Sequence, residues 1–288
     1  MTKHSFGGHW TELKLKILKN YLGFYTSALK NQPFKLLYID AFAGTGERQQ
    51  IIPEAPILKE EAYEETLAGS ARIALEIDPP FFEYHFIEQN SKRFERLKSI
   101  AAEYEDRRCY FYNGDANEEL RYIINKHIRT GSRAVLFLDP YGLSVDWETL
   151  KFINETGVID VWYLFPLSGF IRQAAIKFDD IEPYKIEALN RLLGTTDWKE
   201  VFYSDEYKPQ QADLFSAPAE RTERTATPVE FENYVKKRLD SVFNYVHEPV
   251  GLPKTGAQLY SLFLCVSNPN RKAIDLAKRV ARDIIRNS

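Results

Sequence analysis

The chain has 288 residues, 44% of them apolar and 27% charged, with 38 Lys and Arg against 41 Asp and Glu for a net charge of −3. That length accommodates one large core with appended pieces. The near-neutral charge gives no general pull on a polyanion, and no run of about 18 apolar residues exists to cross a membrane. Two cysteines, Cys109 and Cys265, each in an apolar run, exclude a disulfide framework and read as buried thiols. With no secretory segment in "MTKHSFGGHWTELKLK", the expected compartment is the cytoplasm.

Residues 11–30 predict an amphipathic helix, with Leu13, Ile17, Leu18, Tyr21, Leu22, Tyr25 and Leu29 at helical spacing and Thr11 as its cap. "KLLYIDAF" predicts a buried strand running into the turn Gly44-Thr45-Gly46. Residues 48–68 are a polar, proline-bearing insertion, expected to act as a lid or docking surface. Alternation follows: a helix in "ARIALEI", a strand in "FEYHFIE", a helix in "SKRFERLKSIAAEY" and a strand in "RCYFYNGD". A helix in "EELRYIINKHI", a strand in "RAVLFLD", a helix in "DWETLKFINETG" and a strand in "VIDVWYLFP" continue it. This pattern predicts an α/β fold with a doubly wound, mostly parallel sheet, whose strand C-termini share one ligand-binding edge.

Residues 167–228 are expected to form a helical insertion or lid, with helices in "LSGFIRQAAIKF" and "EPYKIEALNRLLG" and a mobile loop in "APAERTERTATP". A helix from Pro228, capped by Thr227, leads to a region, 242–288, expected to hold a closing β-hairpin ("NYVHEPVGL", "LYSLFLCVS") and a C-terminal helix. The whole chain, 1–288, reads as a single domain with an N-terminal helix over 1–30. Arg271, Lys272, Lys278, Arg279, Arg282 and Arg286 cluster near the C-terminus, as a solvated helix face or a phosphate-contacting patch.

The glycine turn discriminates among cofactors. A phosphate loop requires Gly-Lys-Ser/Thr, and this turn ends Gly46-Glu47-Arg48. A dinucleotide fold requires a third glycine and an acid about 20 residues on; the glycine is absent and the matching acid, Glu88, lies farther away. An oxidoreductase reading also leaves Asp40 facing a pyrophosphate it would repel. Acids recur at four strand ends: Asp40, Glu88, Asp115 and Asp139. Such a row suits S-adenosylmethionine, a cationic nucleoside without phosphate. Asp40 would meet its amino group, Gly44 and Gly46 would let the backbone approach, Glu88 would take the ribose hydroxyls and Asp115 the adenine amine. Asp139 falls where a methyl acceptor must come.

The stretches "YIDAFAGTG", "FIEQN", "NGDA" and "FLDPYG" resemble the successive motifs of class I S-adenosylmethionine-dependent methyltransferases. Over most of the chain the pattern, including Trp10, "GSARIAL" and "LYSLFLCVSNP", is similar to the three-Cys-motif partner (TcmP) family, with Thr45 where that family has proline. The resemblance implies a methyltransferase-like fold, a separate three-Cys-motif protein as partner, and cofactor contacts at Asp40, Ala41, Phe42, Gly44, Gly46, Glu88, Asp115 and Ala116. "LDPYGL" resembles the Asp-Pro-Pro-Tyr motif of amino-methyltransferases, and more closely the Asp-Pro-Phe-Gly of tRNA guanine-amine dimethyltransferases. It implies that Asp139 and Pro140 hold an amine, that Tyr141 stacks on a base, and that DNA or RNA is the substrate. An ordinary Asp-Pro turn with Gly142 is the plain alternative. Phe165 and Ser168, after the fifth strand, are further substrate candidates. A non-catalytic scaffold for the partner protein is the competing function. The five histidines show no metal-ligand spacing and no Cys-x-x-Cys occurs, so no metal is expected; His85 reads as a core residue and Trp10 as a packing anchor, and a place at the pocket rim is only the minor reading of His247.

Overall fold

The computed structural model of the chain describes residues 9–52, 63–204 and 223–288. Helix α1 (His9–Leu29) precedes strand β1 (Lys35–Asp40). An antiparallel arm follows, β2 (Glu47–Ile52) and β3 (Tyr63–Ala68), paired from Glu47 opposite Ala68 to Ile52 opposite Tyr63. Strict alternation then runs through α2 (Ser70–Leu75), β4 (Glu83–Ile87), α3 (Ser91–Ala101), β5 (Cys109–Tyr112) and α4 (Ala116–His127). It continues through β6 (Ser132–Leu138), α5 (Trp147–Glu155) and β7 (Ile159–Phe165). Next come α6 (Leu167–Gln173), α7 (Pro183–Leu193), α8 (Trp198–Phe202), the short pair β8 (Tyr203–Ser204) and β9 (Glu223–Arg224), and α9 (Pro228–Asp240). The chain closes with β10 (Tyr245–Val246), β11 (Val250–Leu252), β12 (Tyr260–Val266) and α10 (Arg271–Arg286).

The main sheet has the order β5-β4-β1-β6-β7-β12-β10, with β11 also on β12. The strands from β5 to β7 are mutually parallel, and β12 runs antiparallel to β7. This is the doubly wound, mostly parallel sheet with a closing antiparallel hairpin, the class I methyltransferase-like architecture. Period-two alternation sends Leu37, Ile39, Leu136, Leu138, Val161 and Tyr163 into one core, under α4, α5 and the α6–α9 helices. Leu36, Tyr38, Tyr84, Phe86, Val135, Phe137 and Trp162 enter the other, under α1, α2, α3 and α10. Central strands buried on both faces have no polar side to show, which is why they read as unbroken apolar runs.

Several local expectations change. Thr11 lies within α1 rather than capping it, because the helix already begins at His9. The helix expected over 167–178 stops at Gln173, where Arg224 donates to the carbonyls of Ile171 and Ala174 and satisfies its open end. Helix α8 has no counterpart among the expected elements. The strand expected over 244–252 is broken between β10 and β11 around Pro249, although His247 N–H still donates to Leu264 O at 2.9 Å. The insertion after the glycine turn contains the β2–β3 arm; its residues 53–62, and 205–222 of the expected loop region, lie outside the described residues.

Candidate functional site

The site begins where β1 stops. Asp40 pairs in register with Phe86 of β4 and Phe137 of β6, so Glu88 and Asp139 each lie two residues farther along a flanking strand. Tyr38, Phe86 and Phe137 share one core, and the same period carries Asp40, Glu88 and Asp139 toward that face of the sheet. Beyond Asp40 the backbone turns through Gly44 (φ +61°) and Gly46 (φ +79°), conformations that side chains with a Cβ rarely adopt. Ala43 N–H donates to Ile87 O at 2.9 Å, tying the turn to β4. Gly69 N–H donates to Gly46 O at 2.9 Å, and a Cβ on Gly69 would meet Gly46 backbone atoms at 2.8 Å. The two-stranded arm therefore leaves and re-enters the fold at a backbone contact only glycine allows. Glu47, next in line, is gripped by Arg72 (2.6 Å) and Arg96 (3.0 Å).

A cavity of about 330 Å³ lies over this turn. Its walls include Phe42 through Gly46, Gly69 and Ser70, with Lys14 of α1, Arg93 of α3, and Asp139 and Tyr141 after β6. Asp40, Glu88 and Asp115 are not among its lining residues, and the carboxylates differ in what they leave free. Asp40 is fully buried; Tyr38 O–H (3.1 Å) and Phe42 N–H (3.3 Å) donate to its two oxygens. Burial pushes its pKa up to about 6 in spite of those donors. Asp40 is thus a brace inside the glycine turn, fully buried behind the residues that line the cavity. Glu88 accepts Asn90 N–H (2.7 Å) on Oε1 alone, and Asp115, the N-cap of α4, accepts Asn117 N–H (2.9 Å) and Nδ2–H (3.2 Å) on Oδ1 alone. Each keeps an oxygen without a donor among the described residues. Ala116, first residue of α4, packs into the core.

Asp139 is not free. Lys14, itself 7% exposed, donates to its Oδ2, and the lysine's ammonium lies 5.3 Å from the Trp10 ring, which stacks on Tyr260 at 4.7 Å. Pro140 is buried, while Tyr141 is 62% exposed with the Arg93 guanidinium 5.0 Å from its ring. Gly142 has φ +67° in the bend that follows β6, where Tyr141 presents its ring to solvent. Phe165 is absent from this surface: it is 2% exposed, on the opposite core, edge-on to Phe170 at 5.5 Å. Ser168 sits in α6 with its N–H on Leu259 O, away from the cavity walls. The sequence did not single out Arg93 as a site residue. Lys14 lies in α1, one turn before the buried Leu18 and two turns before the buried Leu22. A lysine in an apolar stripe is the signal that marks it.

No protein-family model matches the chain, and no curated protein matches it. Among solved structures, a Legionella pneumophila protein of the DUF519 family superposes with a TM-score of 0.52 at 11% identity, over 95% of this chain and 92% of that one. That likeness concerns the fold. An S-adenosylmethionine-dependent methyltransferase from Clostridium acetobutylicum superposes with a TM-score of 0.34 at 12% identity, over 86% of this chain and 92% of that one.

Proposed function

We propose that the chain is an S-adenosylmethionine-dependent methyltransferase acting on an exocyclic amine of a nucleic acid base, working beside a three-Cys-motif partner protein. The observation that carries this reading is the convergence of the glycine turn, Asp139 and Tyr141 on one cavity at the sheet's switch point. When bound, the cofactor supplies an electrophilic methyl group on a sulfonium. The positive-φ turn leaves room for its amino-acid part, since even a Cβ on Gly44 would come no nearer than 3.9 Å to Tyr141 Oη. Glu88 Oε2 and Asp115 Oδ2, without donors among the described residues, suit ribose hydroxyls and an adenine amine.

Asp139 accepts an amine N–H on Oδ1, the oxygen Lys14 leaves open, and so turns the nitrogen lone pair toward the methyl group. The cofactor would supply the methyl group, and the part left to this chain is to hold the amine in line through Asp139 and to let its proton leave to water. Tyr141 offers a stacking face to an extruded base. Lys14 fixes the orientation of Asp139 and offsets a second negative charge close to buried Asp40.

The same ion pair favours a second reading, a non-catalytic scaffold, because it engages half of the acceptor carboxylate. Titration calorimetry with the cofactor and its demethylated product, followed by labelled methyl transfer to DNA, tRNA and rRNA with and without the partner, separates the two. Transfer lost in Asp139→Ala with cofactor binding intact supports the enzyme. Binding without transfer in wild type supports the scaffold, and binding of neither compound by folded protein removes both forms of the cofactor reading.

A further inference from the structure

At the start of β4, on the sheet face opposite the one that carries Tyr38 and Phe86, three ligating side chains meet under α4. Glu83 and His85 project from the same face of β4, and His127 is the last residue of α4. Their ligating atoms all lie within 4.8 Å of one another. Glu83 Oε2 is 3.3 Å from His127 Nδ1 and 3.5 Å from His85 Nε2. His85 is fully buried, and its Nε2 has no hydrogen-bond partner, although an imidazole nitrogen sealed in a protein interior is ordinarily satisfied. The geometry points to a divalent transition-metal site, Zn²⁺ by its ligand set, formed by His85 Nε2, His127 Nδ1 and Glu83 Oε2.

Metal–ligand bonds of about 2.0–2.1 Å in a tetrahedron put ligand atoms roughly 3.3 Å apart; Glu83 Oε2 already has that spacing to both imidazoles, and the two ring nitrogens lie within 4.8 Å of each other. The outer shell fits as well. Tyr112 Oη lies 3.0 Å from His85 Nδ1 and 3.4 Å from His127 Nε2, the ring nitrogens that face away from the ion. Both rings, neutral and metal-bound, would donate those N–H groups to the one phenolic oxygen, fixing tautomer and orientation together. Tyr110 stacks on His85 at 5.0 Å and closes the apolar side. The nearby cation, Arg108, approaches the other carboxylate oxygen, Oε1, at 3.8 Å, leaving Oε2 for the ion. Glu83 and His127 are partly exposed, so a water has access to the fourth position. An ion here would clamp β4 to the end of α4.

The test uses the full chain, stripped by a chelator and dialysed against Zn²⁺, with Co²⁺ as a spectroscopic probe. Wild type should retain about one zinc per chain, show the intense visible bands of tetrahedral Co²⁺, and melt higher with Zn²⁺ than after stripping. His127→Gln and Glu83→Gln, both at the rim of the cluster, should lose retention, bands and the melting shift while keeping the wild-type far-ultraviolet dichroism. Tyr112→Phe should bind roughly 10–100-fold more weakly, since it removes the acceptor behind both rings. Absence of zinc retention by wild type, or retention and spectra unchanged in His127→Gln, overturns the assignment.

Discussion

Asp40 carries two demands that a strand-end acid usually meets only in part: it is fully buried, and its oxygens are committed to Tyr38 and Phe42. Its folded-state pKa of about 6 stands above the unfolded value of about 3.9. A carboxyl with a raised folded pKa gives stability that is fully present below the unfolded pKa and lost as pH rises through the folded one. Stability attributable to Asp40 should therefore fall between about pH 4 and pH 6, by up to about 3 kcal/mol. Asp160, also raised to about 6 by burial, moves the same way. Urea midpoints across that window should accordingly decline less steeply in Asp40→Asn than in wild type. At the rim, Lys14→Met strips Asp139 of its cation; Asp139 keeps access to water, so the loss should be limited to about 1–2 kcal/mol. Methyl transfer should drop well over tenfold in that variant with little change in cofactor affinity, as read by calorimetry and radiolabel transfer. An unaltered rate in Lys14→Met would remove the orienting role assigned to it.

The helices and strands with strong apolar periodicity, β1, β4, β6, β7 and α3 to α5, were legible from the chain because each buries a stripe or both faces. The elements that escaped notice are those settled by partners remote in sequence. Helix α6 ends early because Arg224, from β9, reaches its last carbonyls, and no local residue announces that. Helix α8 is a short piece held by Trp198 and Phe202 in the core. Helix α7, by contrast, ends where the sequence places a glycine: Gly194 adopts φ +62°, and a Cβ there would lie 2.0 Å from Trp147 Cδ1. Gly194→Ala combines left-handed strain with overpacking and should cost about 2–4 kcal/mol, measured by denaturant unfolding. Gly142→Ala shares the positive φ but meets nothing within 4 Å, so its loss should stay near 1 kcal/mol.

Across the whole molecule, the edge that gathers the strand ends follows from alternation alone, and the row of acids marks it in the sequence. The division of labour within that row was not legible. Backbone donors at Phe42, Asn90 and Asn117 claim different shares of the four carboxylates, and Lys14 arrives from a helix more than a hundred residues away from Asp139 in the chain. The Glu83–His85–His127 group was hidden for the same reason, since ligand spacing along the chain does not reveal a helix end folded over a strand. If the cavity takes the nucleoside cofactor, saturation at about 100 times Kd adds roughly 2.7 kcal/mol of stability and should raise the melting midpoint by about 4–8 °C. Scanning fluorimetry with the cofactor and its demethylated product checks this, and equal midpoints with and without either would contradict it. The pinch between Gly46 and Gly69 has an engineering consequence. Because the outgoing and returning strands are already joined at their base, the glycine turn is insulated from changes farther out along the arm, and doubling the length of that appendage costs only about 0.6 kcal/mol in closure entropy. The arm is therefore a place where a longer or different segment can be fitted while the glycine turn beneath stays as it is.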